Sequence, residues 1–281
     1  MDLLQFVLVA FAGSVLAGAL GSLLGLGGGI IVIPMLTLLL GVDIRYAIGA
    51  SVVSVIATSS GAAAAFVRDG LTNRRVGLLL EMATTTGAVA GAFAAAFIAG
   101  QLLYVVFAVV LSYSAVAMFR RRHAEVPQGM ANHPWAERLR LASTYPEAQG
   151  RRIAYHVAGV PLALVLMFIA GIVSGLLGIG SGALKVPAMD LAMRLPIKVS
   201  SATSNFMIGV TAAASAGVYF SRGNIVPIVA APVALGVLLG ALLGARAMLR
   251  LHSSRIREVF VVVLVVVALQ MAAKGLGVQL G

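Results

Sequence analysis

Apolar residues run along this chain in long blocks, separated by short polar or glycine-rich interruptions. The first block, 3–24, breaks at 25–29 and resumes at 30–41, and further blocks fall near 46–66, 76–99 and 100–119. A polar stretch follows at 120–153. The plan then repeats as 155–177, a break at 178–182, 183–194, 198–220, 225–246 and 257–275. A run of about 18 or more apolar residues is long enough to cross a hydrocarbon core of roughly 30 Å. Backbone in lipid must satisfy its own hydrogen bonds, so spanning segments are helices or a closed barrel. The blocks show no strand-like alternation, which predicts helices. The expected fold is an all-α integral membrane protein. Its first membrane repeat is 1–119, its linker 120–153 and its second membrane repeat 154–281.

The two halves share motifs in the same order. Residues 22–34 read Ser-Leu-Leu-Gly-Leu-Gly-Gly-Gly-Ile-Ile-Val-Ile-Pro, and residues 175–187 read Gly-Leu-Leu-Gly-Ile-Gly-Ser-Gly-Ala-Leu-Lys-Val-Pro. Gly25, Gly27, Gly29 and Pro34 thus match Gly178, Gly180, Gly182 and Pro187 at one displacement. Ala50-Ser51 matches Ala202-Thr203 after a slip of one residue, and Arg68-Asp69-Gly70 matches Ser221-Arg222-Gly223. Such self-similarity signals duplication. The opening unit of each half is too long for one crossing, and its glycines interrupt the helix. Each unit is therefore expected to be a broken, re-entrant hairpin followed by three transmembrane helices. Each half then makes an odd number of crossings, and the two repeats come out inverted.

Charge agrees with that topology. With 120–153 in the cytoplasm, the loops at 67–75, 194–198 and 246–257 also fall inside, and these regions hold 16 of the 20 Lys and Arg. Arg45, Arg222 and Lys274 fall outside, and Lys185 lies at membrane depth. Parallel halves would place Arg194, Lys198 and the arginines at 246, 250, 255 and 257 outside, against the positive-inside rule. Both termini are expected to face outward, in the inner (cytoplasmic) membrane, and the first apolar block is expected to be retained. The net charge of +11 is explained by these loops, so no nucleic-acid partner is expected. There is no cysteine to form a disulfide or a thiolate metal site, and no cofactor is expected.

Several residues carry candidate chemistry. Glycines such as Gly87, Gly91, Gly236, Gly240 and Gly244 read as helix-packing residues. The two dense clusters also permit packing, but their paired placement favours binding. A broken helix presents N–H groups and the positive end of a dipole to an anion. Lys185 stands among apolar residues, where a cation is a candidate functional group. Lys185 either pairs with Asp190 or snorkels to the interface, or, since Asp190 is four residues before Arg194 and can pair there, is left to face an anion. Ser51, Ser54, Thr58, Ser59 and Ser60, and then Ser200, Ser201, Thr203, Ser204 and Asn205, either bond neighbouring helices or line a shared cavity. Glu81 is expected to pair with Arg74 or Arg75 rather than to carry a proton. No catalytic constellation appears within the spans, which argues against an enzyme.

The paired motifs, Gly25-Leu-Gly-Gly-Gly to Pro34 and Gly178-Ile-Gly-Ser-Gly to Pro187, resemble those of the TauE/SafE sulfite-exporter family. The Ala50-Ser51 and Ala202-Thr203-Ser204-Asn205 segments resemble it too. The resemblance covers nearly the whole chain apart from the linker. It implies an anion permease that moves a small sulfur-containing anion, sulfite or an organosulfonate such as sulfoacetate. The expected substrate-binding residues are Gly27, Gly29, Ser51, Gly180, Ser181, Gly182, Lys185, Thr203 and Asn205. Val32 stands where the second half has Lys185. Export by alternating access, with a coupling proton or ion, is the expected mechanism, and a homodimer is compatible with it. An uncoupled anion channel would use the same site. A membrane scaffold would leave the paired broken helices without a purpose.

Overall fold

The computed structural model describes residues 2–120, 133–146, 152–248 and 253–277. The first half holds α1 (Leu3–Leu24), α2 (Gly29–Pro34), α3 (Ile44–Arg68), α4 (Arg74–Ala94) and α5 (Gly100–Arg120). The second holds α7 (Val160–Leu177), α8 (Gly182–Ala192), α9 (Ile197–Ser221), α10 (Pro227–Met248) and α11 (Ser253–Gly275). Between them lie α6 (Pro134–Arg138) and an antiparallel pair of strands, β1 (Ser143–Pro146) and β2 (Arg152–Tyr155), in which Ser143 faces Tyr155. This strand pair is the one departure from an all-helical plan among the described residues.

Local chemistry sets the helix ends. Asp2 caps α1 by accepting from the Leu3 N–H, and Gln5 completes a capping box. Asp43 and Asn73 cap α3 and α4 through their side chains. Gly25 and Gly178 close α1 and α7 in the left-handed region. Pro34 lies at the end of α2, and the chain continues as a π-helical turn over Met35–Leu39. Among the described residues, seven helices are long and apolar enough to span a membrane. The 25-residue α9 matches them in length but is richer in Ser and Thr, and it packs centrally against α3 and α4. Leu16, Leu78, Met82, Leu162 and Leu269 are exposed on the outer faces. That much exposed hydrocarbon suits lipid rather than water.

One sequence displacement recurs in the packing. Gly25 and Gly178 are 153 positions apart (25 to 178), and the same displacement relates contacts throughout. Gly240 approaches the Val15 carbonyl and Gly244 that of Ala19, while Gly87 approaches Phe168 and Gly91 approaches Ile172. The first pair of contacts joins α10 to α1. Its image, shifted by 153, joins α4 to α7. The positions rise together in each pair, so α1 runs parallel to α10 and α7 parallel to α4. Gly49 meets Asn224, and Gly61 meets Leu238 and Ala241, so α3 also runs parallel to α10. The central pair α3 and α9 carries the junction between the halves.

Candidate functional site: two crossed hairpin tips and a buried ion pair

The hairpins α1–α2 and α7–α8 bring their tips together at the centre of the molecule. Gly27 at φ +82° and Gly180 at φ +72° take the left-handed region that favours glycine, and each lies against the side chains of both Val55 and Ile208. Val55 and Ile208 are themselves related by the same displacement of 153. Gly29 and Gly182 serve a different need, close approach. A Cβ on Gly29 would strike Ser51 and approach Ile179, and one on Gly182 would strike the backbone of Gly25 and Leu26. Ser181 takes the position that Gly28 holds in the first half and keeps a positive φ of 58°. A side chain is uncommon there. Its hydroxyl donates to the Gly180 carbonyl at 2.7 Å.

A helix that ends inside a membrane leaves carbonyls without intrahelical partners. Here each half closes the other's. Ser51 on α3 donates to the Gly178 carbonyl at 2.8 Å. Ser204 on α9 donates to the Gly25 carbonyl at 2.6 Å. Ser201 donates to Leu24, and the Asn205 amide to Ser22 at 2.6 Å. The displacement between Ser51 and Ser204 is again 153, so the two helices align without the one-residue slip expected from sequence. Ser51 matches Ser204, not Thr203. Thr203 turns toward the loop before α4, where its hydroxyl accepts from the Asn73 N–H at 3.0 Å.

The charges differ from expectation. Lys185 is fully buried on α8, and its Nζ donates to Glu81 Oε2 at 3.2 Å and to the Thr211 hydroxyl at 2.5 Å. Thr211 in turn donates to Glu81 Oε1 at 2.5 Å. The hydroxyls of Thr84 and Thr85 lie 3.0 Å from the two carboxylate oxygens. Glu81 therefore pairs with Lys185, not with Arg74 or Arg75, and Lys185 is not a lone cation awaiting an anion. Sequence spacing ranked local partners first, whereas α4 turns Glu81 inward. Arg75 instead donates to the Arg140 carbonyl at 2.9 Å. Thr211 is three residues beyond Ile208 on the same face of α9, so this cluster adjoins the crossed tips. Sequence reasoning missed Thr211. Its signal was the paired threonine Thr58 at the same displacement in the first half.

Two cavities open on the face away from the linker. One, of about 180 Å³, is lined by Arg45, Ile48, Tyr219, Arg222 and Asn224. The other, of about 450 Å³, is lined by Thr37, Asp43, Gln101, Tyr104 and Lys274. Arg45, Arg222 and Lys274, the three basic residues expected outside, thus all border cavities. Ile48 packs against Gly178, and the Tyr219 hydroxyl donates to the Gly175 carbonyl at 2.5 Å. The smaller cavity therefore ends at the second hairpin. Arg222 also donates to the Ala92 carbonyl at 2.8 Å and lies over the Phe93 ring.

The opposite face carries the linker. Asn73 donates to the Leu141 carbonyl at 2.7 Å and to the Tyr155 hydroxyl at 2.9 Å, and the Ala158 N–H donates to Met193. Burial raises the pKa of the Tyr155 phenol above its ordinary value, and the bonds with Asn73 and Ser143 lower it in part. Among the described residues no cluster of three His, Asp or Glu is placed to hold a metal ion.

Comparison with known proteins fits this geometry. A "Probable membrane transporter protein YunE" of Bacillus subtilis (strain 168) is 27% identical over 97% of this chain and 99% of its own length. A second protein of that organism, "Probable membrane transporter protein YdhB", is 27% identical over 82% of this chain and 84% of its own. A "Probable membrane transporter protein" of Xylella fastidiosa (strain 9a5c) is 27% identical over 74% and 72%. No solved structure matches significantly. The family described as "Sulfite exporter TauE/SafE" matches residues 10–271, with both hairpins and both central helices inside the match, and this multi-pass membrane protein belongs to that family.

Proposed function

We propose that this protein is a secondary transporter of the cytoplasmic membrane that exports a small sulfur-containing anion, sulfite or an organosulfonate such as sulfoacetate, by alternating access of two inverted repeats. The observation that carries this reading is the crossed bonding of the hairpin tips, Ser51 to Gly178 and Ser204 to Gly25. Each half seals the other at the centre, so separating the halves breaks symmetric contacts and opens a path beside both tips. Inversion is supported by helix direction. α1 and α3 both run parallel to α10, α4 returns from α3 through a short turn, and α7 runs parallel to α4. The first and second hairpins therefore point in opposite directions, as in many secondary transporters.

The anion is taken beside the crossing, where Gly27, Gly29, Gly180, Ser181 and Gly182 keep the backbone accessible and Lys185 supplies charge. Ser51, Thr203 and Asn205 exchange their present backbone partners for the anion as the halves part. Buried hydroxyls and amides lose little in such an exchange when each keeps a partner. The face carrying the linker is cytoplasmic, consistent with its basic loops. The smaller outer cavity, with Arg45 and Arg222, is the external mouth. Flux of sulfite and sulfoacetate into proteoliposomes tests this reading. Saturable flux that Lys185→Ala lowers at least tenfold is expected, and absence of flux for both anions in the unaltered protein would overturn it.

A further inference from the structure

The duplicated scaffold carries its buried ion pair once. At the displacement of 153, Lys185 corresponds to Val32, Glu81 to Ala234, and Thr211 to Thr58. The surrounding glycine contacts are repeated in both halves. The fold therefore closes its first hairpin without a charge pair, so packing alone gives no reason for one at the second. A buried pair is weak evidence for stability, and ionisable groups at membrane depth mark ion or proton paths.

We infer that Glu81 is the proton-coupling site of this transporter, a carboxylate that holds Lys185 until the anionic substrate replaces it; this rests on the transport reading above. Charge balance at the cluster supplies the coupling. Lys185 ammonium and Glu81 carboxylate together are neutral. A monovalent anion that enters while Glu81 stays ionised leaves one uncompensated negative charge in a low-dielectric site. If Glu81 takes one proton from water on the open face, the ammonium, the anion and the neutral carboxyl again sum to zero. On release the proton leaves Glu81 and the carboxylate recovers Lys185. Thr211 bridges both partners and can donate to either the carboxylate or the anion.

The charged groups around Glu81 are few. On α8 they are Lys185 itself and Asp190, five residues further on, and α7 carries none. On α9 the ionisable residues are Lys198 and Tyr219, more than two turns to either side of Thr211. The remaining groups against the carboxylate are the hydroxyls of Thr84, Thr85 and Thr211. The cluster is thus a carboxylate with one cationic partner and a neutral hydroxyl shell, and it takes up and releases one proton together with each anion. Flux of a monovalent sulfonate is electroneutral with one proton per anion.

The test uses proteoliposomes of the full chain with methanesulfonate as probe and a pH dye in the lumen. Methanesulfonate uptake by the unaltered protein acidifies the lumen, and Glu81→Gln abolishes that acidification while sulfonate counterflow, which needs no net proton movement, remains measurable at an altered rate. Counterflow without acidification in the unaltered protein overturns the coupling and leaves transport standing. No counterflow at all sinks both. Acidification that persists in Glu81→Gln, or loss of both signals in a folded Glu81→Gln protein, also overturns the assignment. Should Glu81→Gln not fold, Glu81→Asp decides by its pH profile: a midpoint of uptake displaced from the unaltered protein's supports the site, and an unchanged midpoint overturns it.

Discussion

The Ser204 hydroxyl donates to the Gly25 carbonyl at 2.6 Å, across the boundary between the two halves, and Ser51 repeats the bond to Gly178 from the other side. Removing either hydroxyl leaves a buried carbonyl at a helix end without its partner. That costs about 1–3 kcal/mol. Ser204→Ala and Ser51→Ala are each expected to lower the unfolding free energy in detergent by that amount. Both bonds hold the same crossing, so the double variant is expected to deviate from additivity by at least about 0.5 kcal/mol. Strict additivity would show that the tips are held independently.

Glycine tolerance is expected to follow geometry. Gly182→Ala places a methyl against the backbone of Gly25 and Leu26, which has no flexible end to move aside. It should abolish flux and lower the thermal midpoint. Gly217 lies in the interior of α9 with nothing within 4 Å of a built Cβ. Gly217→Ala should raise stability by about 0.5–1 kcal/mol. Equal effects at the two sites would contradict the crossed-tip packing.

The second half can be given the first half's chemistry. Lys185→Val alone strands the Glu81 carboxylate and should destabilise by about 3–5 kcal/mol. Adding Glu81→Ala reproduces the pair Val32 and Ala234, and most of the lost stability should return while anion flux does not. Thermal unfolding and flux on the same preparations separate the two roles. Recovered flux in the double variant would remove Lys185 from the substrate path.

Arg222 borders the outer cavity and donates to carbonyls at the end of α4. Arg222→Ala is expected to raise KM for anion presented at the outer face about tenfold, equivalent to about 1.4 kcal/mol. KM measured from the linker face should change far less.

Linker docking should depend on pH at the alkaline end. Burial raises the Tyr155 pKa above its ordinary value of 10.0, so the folded state holds the phenolic proton more tightly than the unfolded chain does. The docking stability is fully present below the unfolded value and is lost as pH rises through the folded one. Proteolysis at Arg138 and Arg140 should be constant through neutral pH and accelerate above about pH 10. Tyr155→Phe should abolish that acceleration.

Length and polarity of the blocks were enough to place the helices. Breaks at 25–29 and 178–182 were readable because clustered glycines disfavour a continuous helix, and the repeated motif was readable because paired glycines and prolines stand at one displacement in the two halves. Lys185 stood out because a cation among apolar residues is expensive in lipid. Its partner did not. Glu81 is 104 residues away, and spacing favours whichever charge lies nearest along the chain. Ser51 and Ser204 read equally as helix-bonding or cavity-lining hydroxyls, and spacing alone does not say that their bonds go to carbonyls more than 120 residues distant. The covalent chain determines which segments must leave water and where helices must break, because those are local consequences of side-chain hydrophobicity and backbone freedom. Which carboxylate meets the buried lysine, and which half closes which helix end, was decided only in the tertiary structure. There, desolvation favours a partner for a buried polar group wherever the packing brings one within reach.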